Sequence, residues 1–182
     1  LAPWVTFKPI CPEMAIGLSS PRPALRLVQT GAGDIQMRFS SEQHDDVTRK
    51  MADFTAGYLP GLGEVAGFIV CAKSPSCGME RVRLYDEKGN RGRKEGTGLF
   101  TRALMEAYPW LPVEEDGRLH DPQLRENFVE RLFALHELNT LRANGLTRRG
   151  LLDFHSRYKL QLLAHHQAGY REIGPFVASM HQ

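Results

Sequence analysis

Six residues without a charge, Gly67-Phe68-Ile69-Val70-Cys71-Ala72, run straight into a loop of turn formers, Lys73-Ser74-Pro75-Ser76-Cys77-Gly78. An apolar run this short, bounded by turn signals, is the pattern of a strand covered on both faces, as strands of parallel sheets are. Parallel neighbours cannot be joined by a tight turn, so each such strand implies a crossover, usually helical. The surrounding sequence offers that alternation. Trp4 to Ile10 is rich in β-branched and aromatic residues and reads as a strand stopped by Pro12, with Cys11 at its carboxyl end. Ala24 to Thr30 and Asp34 to Phe39 read as short strands of a hairpin or meander around Gly31-Ala32-Gly33. Ser41 is a plausible N-cap for a helix from Glu42 to about Tyr58, with Val47, Met51 and Phe54 on its apolar face and Pro60 beyond its end. Tyr85 to Gly98 reads as a polar, glycine-rich connection, about Thr97 to Tyr108 as a helix, and Leu111-Pro112-Val113 as a last short strand. The expected class is α/β, with an open, largely parallel sheet flanked by helices.

From Asp121 onward the period changes. Phe128, Leu132, Leu135 and Leu138 lead to the C-cap pair Asn144-Gly145; Thr147 then caps a helix bearing Leu151, Phe154, Tyr158, Leu162 and Leu163, and Gly169 to Met180 forms a third. We therefore expect an α/β domain over residues 1–118 and an all-helical segment over 119–182. A chain of 182 residues has room for both. Lys and Arg total 23 against 21 Asp and Glu, so no broad field favours stable binding to nucleic acid or to an anionic membrane. The chain opens Leu1-Ala2-Pro3-Trp4 without an initiator methionine or a visible leader, and its last residues still read as helix. Both ends read as cuts, and a cytoplasmic location is expected.

In open α/β sheets, ligands bind beyond the carboxyl ends of the strands. Cys11-Pro12-Glu13 and the loop from Lys73 to Gly78 each follow an expected strand. If those strands are parallel neighbours, Cys11 and Cys77 meet, flanked by Glu13 and Ser74. Three cysteines are too few for a disulfide framework. Soft thiolates favour zinc, copper or iron-sulfur clusters instead. Cys71, inside the apolar run, reads first as a small buried hydrophobe and only second as a ligand. A redox pair is disfavoured, because Cys71 and Cys77 lack Cys-x-x-Cys spacing. His155 and His165 lie ten positions apart and His165-His166 are adjacent, so none has the i, i+4 spacing of a helical zinc site.

These loops carry a resemblance. Cys11-Pro12-Glu13, Gly17-Leu18, Pro21-Arg22-Pro23, Lys73-Ser74-Pro75-Ser76-Cys77-Gly78 and Tyr85-Asp86 resemble the family of domain of unknown function 523, whose members include the thiouracil desulfidases. Asp153-Phe154-His155-Ser156-Arg157-Tyr158-Lys159-Leu160, with Ala164-His165 and Tyr170-Arg171, resembles the start of domain of unknown function 1722. The two occur fused in YbgA-like proteins. The resemblance implies a 4Fe-4S cluster on three cysteines, with an open iron that takes sulfur from a thiolated uracil or its nucleotide. The family's first ligand lies in a Cys-Leu-Leu-Gly-like motif absent here, so the first strand and one ligand are expected upstream of Leu1. Cys11 and Cys77 are then the remaining ligands, with Cys71 a weaker substitute.

On that reading the chemistry is hydrolytic. Glu13 is the base or proton shuttle, and Ser74 bonds the substrate or relays a proton, with Ser76 second in line. Lys73 and Arg22 would meet a substrate phosphate; the basic run Arg91-Gly92-Arg93-Lys94 reads first as a solvated turn and second as a further phosphate contact. The competing readings are a non-catalytic partner-binding module and a zinc-binding structural protein.

Overall fold

The computed structural model describes residues 3–41 and 45–179. Two compact units divide the chain, one through Glu126 and one from Asn127.

In the first unit the elements are α1 (Pro12–Ala15), β1 (Leu25–Gln29), β2 (Ile35–Phe39), α2 (Thr48–Tyr58), β3 (Phe68–Val70), β4 (Val82–Tyr85), β5 (Arg91–Gly96), α3 (Leu99–Ala107) and β6 (Val113–Glu115). One sheet has the order β2-β1-β4-β5, and a second pairs β3 with β6. The α/β class is as expected. Among the described residues the pairing is mixed rather than largely parallel: β1/β4 and β3/β6 are parallel, whereas β1/β2 and β4/β5 are antiparallel. The core lies between the larger sheet and its helices, where Leu27, Val28, Met37 and Val82 meet Met51, Phe100 and Leu104, all buried. Phe54, Tyr58 and Phe68 gather around Phe100 with ring centroids 5.9 to 6.1 Å away, so helices α2 and α3 and strand β3 share one aromatic cluster.

Five local expectations are corrected. Trp4 to Ile10 forms no strand, Trp4 lying in a turn and residues 5–10 having no regular structure; Pro9 has no amide to donate, and Trp4 and Phe7 are 77% and 58% exposed. Strand β3 is not covered on both faces: among the described residues it pairs with β6 alone, and Ile69 is 38% exposed. Cys71 falls just beyond β3 and is exposed rather than buried. Helix α2 begins at Thr48, whose amide donates to Asp46 Oδ1 at 2.8 Å; residues 42–44 of the expected first turn lie outside the described residues. The supposed connection from Tyr85 to Gly98 is the β4/β5 hairpin, turned where the Asn90 amide and side chain donate to Asp86 at 2.7 and 2.8 Å. Those bonds hold the Asp86 carboxyl below its ordinary range. Strand β5 escaped notice because it is an edge strand of charges with one buried residue, which breaks apolar alternation.

The second unit holds most of α4 (Pro122–Ala143) with α5 (Arg148–His165) and α6 (Gln167–Ser179). Thr147 caps α5 as expected, its hydroxyl accepting from the Gly150 amide at 3.1 Å. Glu137 accepts from Arg157 at 2.6 Å and from the Tyr158 hydroxyl at 2.9 Å, and the His155 ring stacks on Tyr170 at 5.4 Å. These residues therefore tie the helices to one another. Among the described residues no helix is long and apolar enough to cross a membrane.

Candidate active site

Cys11, itself in an extended conformation, stands at the N-cap of α1, whose first turn is Pro12-Glu13. Proline suits the first helical position, where no amide is needed, and it sends Glu13 inward. Glu13 is 9% exposed. A carboxylate this buried must have its oxygens occupied, and both are: Oε2 accepts from Arg22 Nε at 2.6 Å, while Oε1 accepts from the Ser76 hydroxyl at 2.6 Å and from the Ser74 hydroxyl at 3.5 Å. Arg22 also directs Nη2 at Cys11 Sγ, 3.6 Å away, and Nη1 at the Ser19 carbonyl, 3.1 Å away. On the other side, Ser76 Oγ lies 3.5 Å from Cys77 Sγ, and the Cys77 amide donates to Ser74 Oγ at 3.2 Å. The polar chain therefore runs unbroken from Cys11 through Arg22, Glu13 and Ser76 to Cys77.

The loop carrying Ser74, Ser76 and Cys77 is held by the start of α3. The amides of Leu99 and Phe100 donate to the carbonyls of Pro75 and Ser76, each at 3.0 Å, and the buried Thr101 hydroxyl donates to the Cys77 carbonyl at 2.7 Å. These helix-terminal amides, which would otherwise lack partners, are thus engaged by the loop. The close approach is possible because Gly98 has no side chain. A Cβ there would lie 2.5 Å from the Ser76 carbonyl carbon and oxygen and 2.6 Å from the Cys77 nitrogen. Gly98 and Thr101 were not singled out from the sequence; the usable signal was the glycine immediately before an amphipathic helix.

Six of the expected residues, Cys11, Glu13, Arg22, Ser74, Ser76 and Cys77, come together. Lys73, exposed and with φ of 63°, and Cys71, exposed after β3, have no side-chain hydrogen bond to this network among the described residues. Arg22 has its donors turned toward protein groups instead of toward solvent. Burial pushes the Cys77 thiol up to about 11, against the opposing effect of its hydrogen bond with Ser76. Burial, followed by the charge of Asp116, also raises Cys71. The Arg22 guanidinium is raised, first by its hydrogen bond to Glu13.

The model of the 2-thiouracil desulfurase family matches residues 1–116, a span that includes every residue of this network. The chain belongs to that family. The family is the one that the two cysteine loops led us to expect. An uncharacterized protein of Escherichia coli (strain K12), YbgA, is 65% identical over 52 residues, which are 29% of this chain and 31% of that protein. The chain therefore spans about a third of the length of that curated relative. The solved structure of a [4Fe-4S]-dependent thiouracil desulfidase, TudS, is 28% identical, with 65% of this chain and 72% of that chain covered and a TM-score of 0.41.

The donor set of this desulfurase-family chain bears on the kind of metal group it could take. Two thiols at the ends of one network fit the sulfur ligation of an iron-sulfur cluster and not the oxygen ligation of a hard cation. Among the described residues, no group of three His, Cys, Asp or Glu side chains is arranged to hold a metal ion.

Proposed function

We propose that the chain acts as an iron-sulfur-dependent desulfidase, exchanging the sulfur of a thiolated uracil or its nucleotide for oxygen from water. One observation carries the reading: a buried carboxylate bridges the two cysteine loops, with Glu13 reaching Cys11 through Arg22 and Cys77 through Ser76. Cys11 and Cys77 would hold the cluster, which when bound supplies a Lewis-acidic iron for the substrate sulfur.

The protein side chains then divide the proton work. A C–S bond is replaced by a C–O bond, water loses its protons, and sulfur departs as sulfide, with no net gain or loss of electrons. Glu13 takes a proton from the attacking water. Arg22 keeps the carboxylate in place through Oε2, leaving Oε1 facing the two serines. Ser76 passes the proton along the 2.6 Å bond, and Ser74, 3.0 Å from Ser76, orients that hydroxyl. Lys73, exposed on the same loop, is the cation we assign to a substrate phosphate.

We assign this chemistry to residues 1–118, and we read 119–182 as the start of a YbgA-like helical domain. The partner is a small thiolated pyrimidine, and a reducing compartment such as the cytoplasm suits an open cluster.

Glu13→Gln tests the assignment. Glutamine still accepts from Ser76 but cannot take up a proton, so sulfide release from 4-thiouracil by the reconstituted protein should fall by about 10² to 10⁴. A rate within threefold of wild type would remove Glu13 from the base role.

A further inference from the structure

Strand β6 ends in Glu114-Glu115, followed by Asp116, and these residues stand beside the loop that carries Cys77. Glu115 is 4% exposed. Its Oε1 accepts from the amides of Met79 at 3.0 Å and Glu80 at 3.4 Å, immediately after the Cys77-Gly78 pair. Asp116 Oδ1 accepts from the Ala72 amide at 3.1 Å, immediately before Lys73. Both carboxylates are set in place by the parallel β3/β6 ladder, in which Val70 is in register with Glu115 and the Asp116 amide donates to the Val70 carbonyl at 2.9 Å. Arg118 adds a tether, donating to Glu114 at 2.7 Å and to Glu80 at 2.6 Å.

A second observation concerns the same two places. Among the described residues, Lys73 and Arg81 are the non-glycine residues with positive φ, 63° and 54°. One follows Ala72 and the other follows Glu80, so each lies directly next to an amide that a carboxylate holds. Side chains in this region of φ are strained and persist only where the surroundings enforce them. The loop is bent at both ends, and each bend is fastened.

We propose that Glu115 and Asp116 are positioning residues that clasp the two ends of the Cys77 loop, holding Ser74, Ser76 and Cys77 against Glu13. The proposal rests on the reading of that loop as half of the desulfidase site. It predicts that loosening either fastening frees Cys77 without unfolding the unit.

The test is the rate at which a maleimide modifies Cys77 in the metal-free chain at one fixed pH, mapped by peptide mass and divided by the rate in the unfolded chain. In Glu115→Ala the ratio should rise about fivefold or more, the size expected when local opening loses one or two net hydrogen bonds. Both bonds end on one oxygen, which a glutamine carbonyl can replace, so Glu115→Gln should stay within twofold of wild type. That rescue separates positioning from a general loss of stability. A wild-type ratio in Glu115→Ala, or equal ratios in the alanine and glutamine variants, overturns the proposal. Should Glu115→Ala fail to fold, Asp116→Ala at an exposed position decides, with a rise of at least twofold expected and no change contradictory. The readout needs no cluster. Failure of the wild-type chain to take up iron would count against the desulfidase reading alone.

Discussion

Gly98→Ala is expected to destabilise the α/β unit by about 1 to 3 kcal/mol and to abolish iron uptake. Gly98 sits at φ −57° and ψ 139°, a conformation open to any residue, so the penalty is steric and not conformational. The added methyl would fall 2.5 Å from backbone atoms of Ser76 and 2.6 Å from the Cys77 nitrogen, contacts that no side-chain rotation relieves. The chain can escape only by separating the start of α3 from the loop, which breaks the bonds to the Pro75 and Ser76 carbonyls and shifts Cys77. Urea unfolding should show a lower midpoint with an unchanged slope. Gly57→Ala is the control. Nothing lies within 4 Å of a Cβ there, and in the last turn of α2 alanine should stabilise by about 0.5 kcal/mol. Equal midpoints for Gly98→Ala and wild type would contradict the close packing of loop and helix.

The second large effect is expected at the cysteines. Cys11→Ser and Cys77→Ser should each lose the broad visible absorbance of an anaerobically reconstituted protein, with iron uptake falling at least about a hundredfold, since even outer partners of metal ligands cost ten- to a hundredfold. Cys71→Ser should retain colour, because Cys71 is exposed beyond β3 and outside the hydrogen-bonded network. Full colour in Cys77→Ser, or complete loss in Cys71→Ser, would reverse the assignment of ligands between these two residues.

Much of the site could be read from residue chemistry alone. Cys11, Glu13, Ser74, Ser76 and Cys77 lie in stretches of sequence bordered by proline and glycine, where thiols, a carboxylate and hydroxyls have little packing role, and the structure joins them. The partners of Arg22 could not be read that way. Which groups a loop arginine meets depends on how the loop folds back, and here it folds onto Glu13 and Cys11. The same reason hid Glu115 and Asp116, whose role appears only when β6 pairs with β3 and brings them to the ends of a loop distant in sequence. Secondary structure failed where a local pattern lacked a tertiary partner. Trp4 to Ile10 has strand composition but no strand beside it, and Arg91–Gly96 has the composition of a solvated turn but pairs with β4. Thr147, by contrast, acts through its own amide neighbours, and its cap was legible from the sequence.

On the proposed function, Glu13 and the two cysteine loops form one hydrolytic desulfidase site. Its most direct test is sulfide release from 4-thiouracil by the protein after anaerobic reconstitution and removal of free sulfide. Repeated turnover is expected, with one uracil formed for each sulfide released and none formed by Cys77→Ser. A cluster-loaded wild-type protein that releases no sulfide, or equal release by Cys77→Ser, would contradict it.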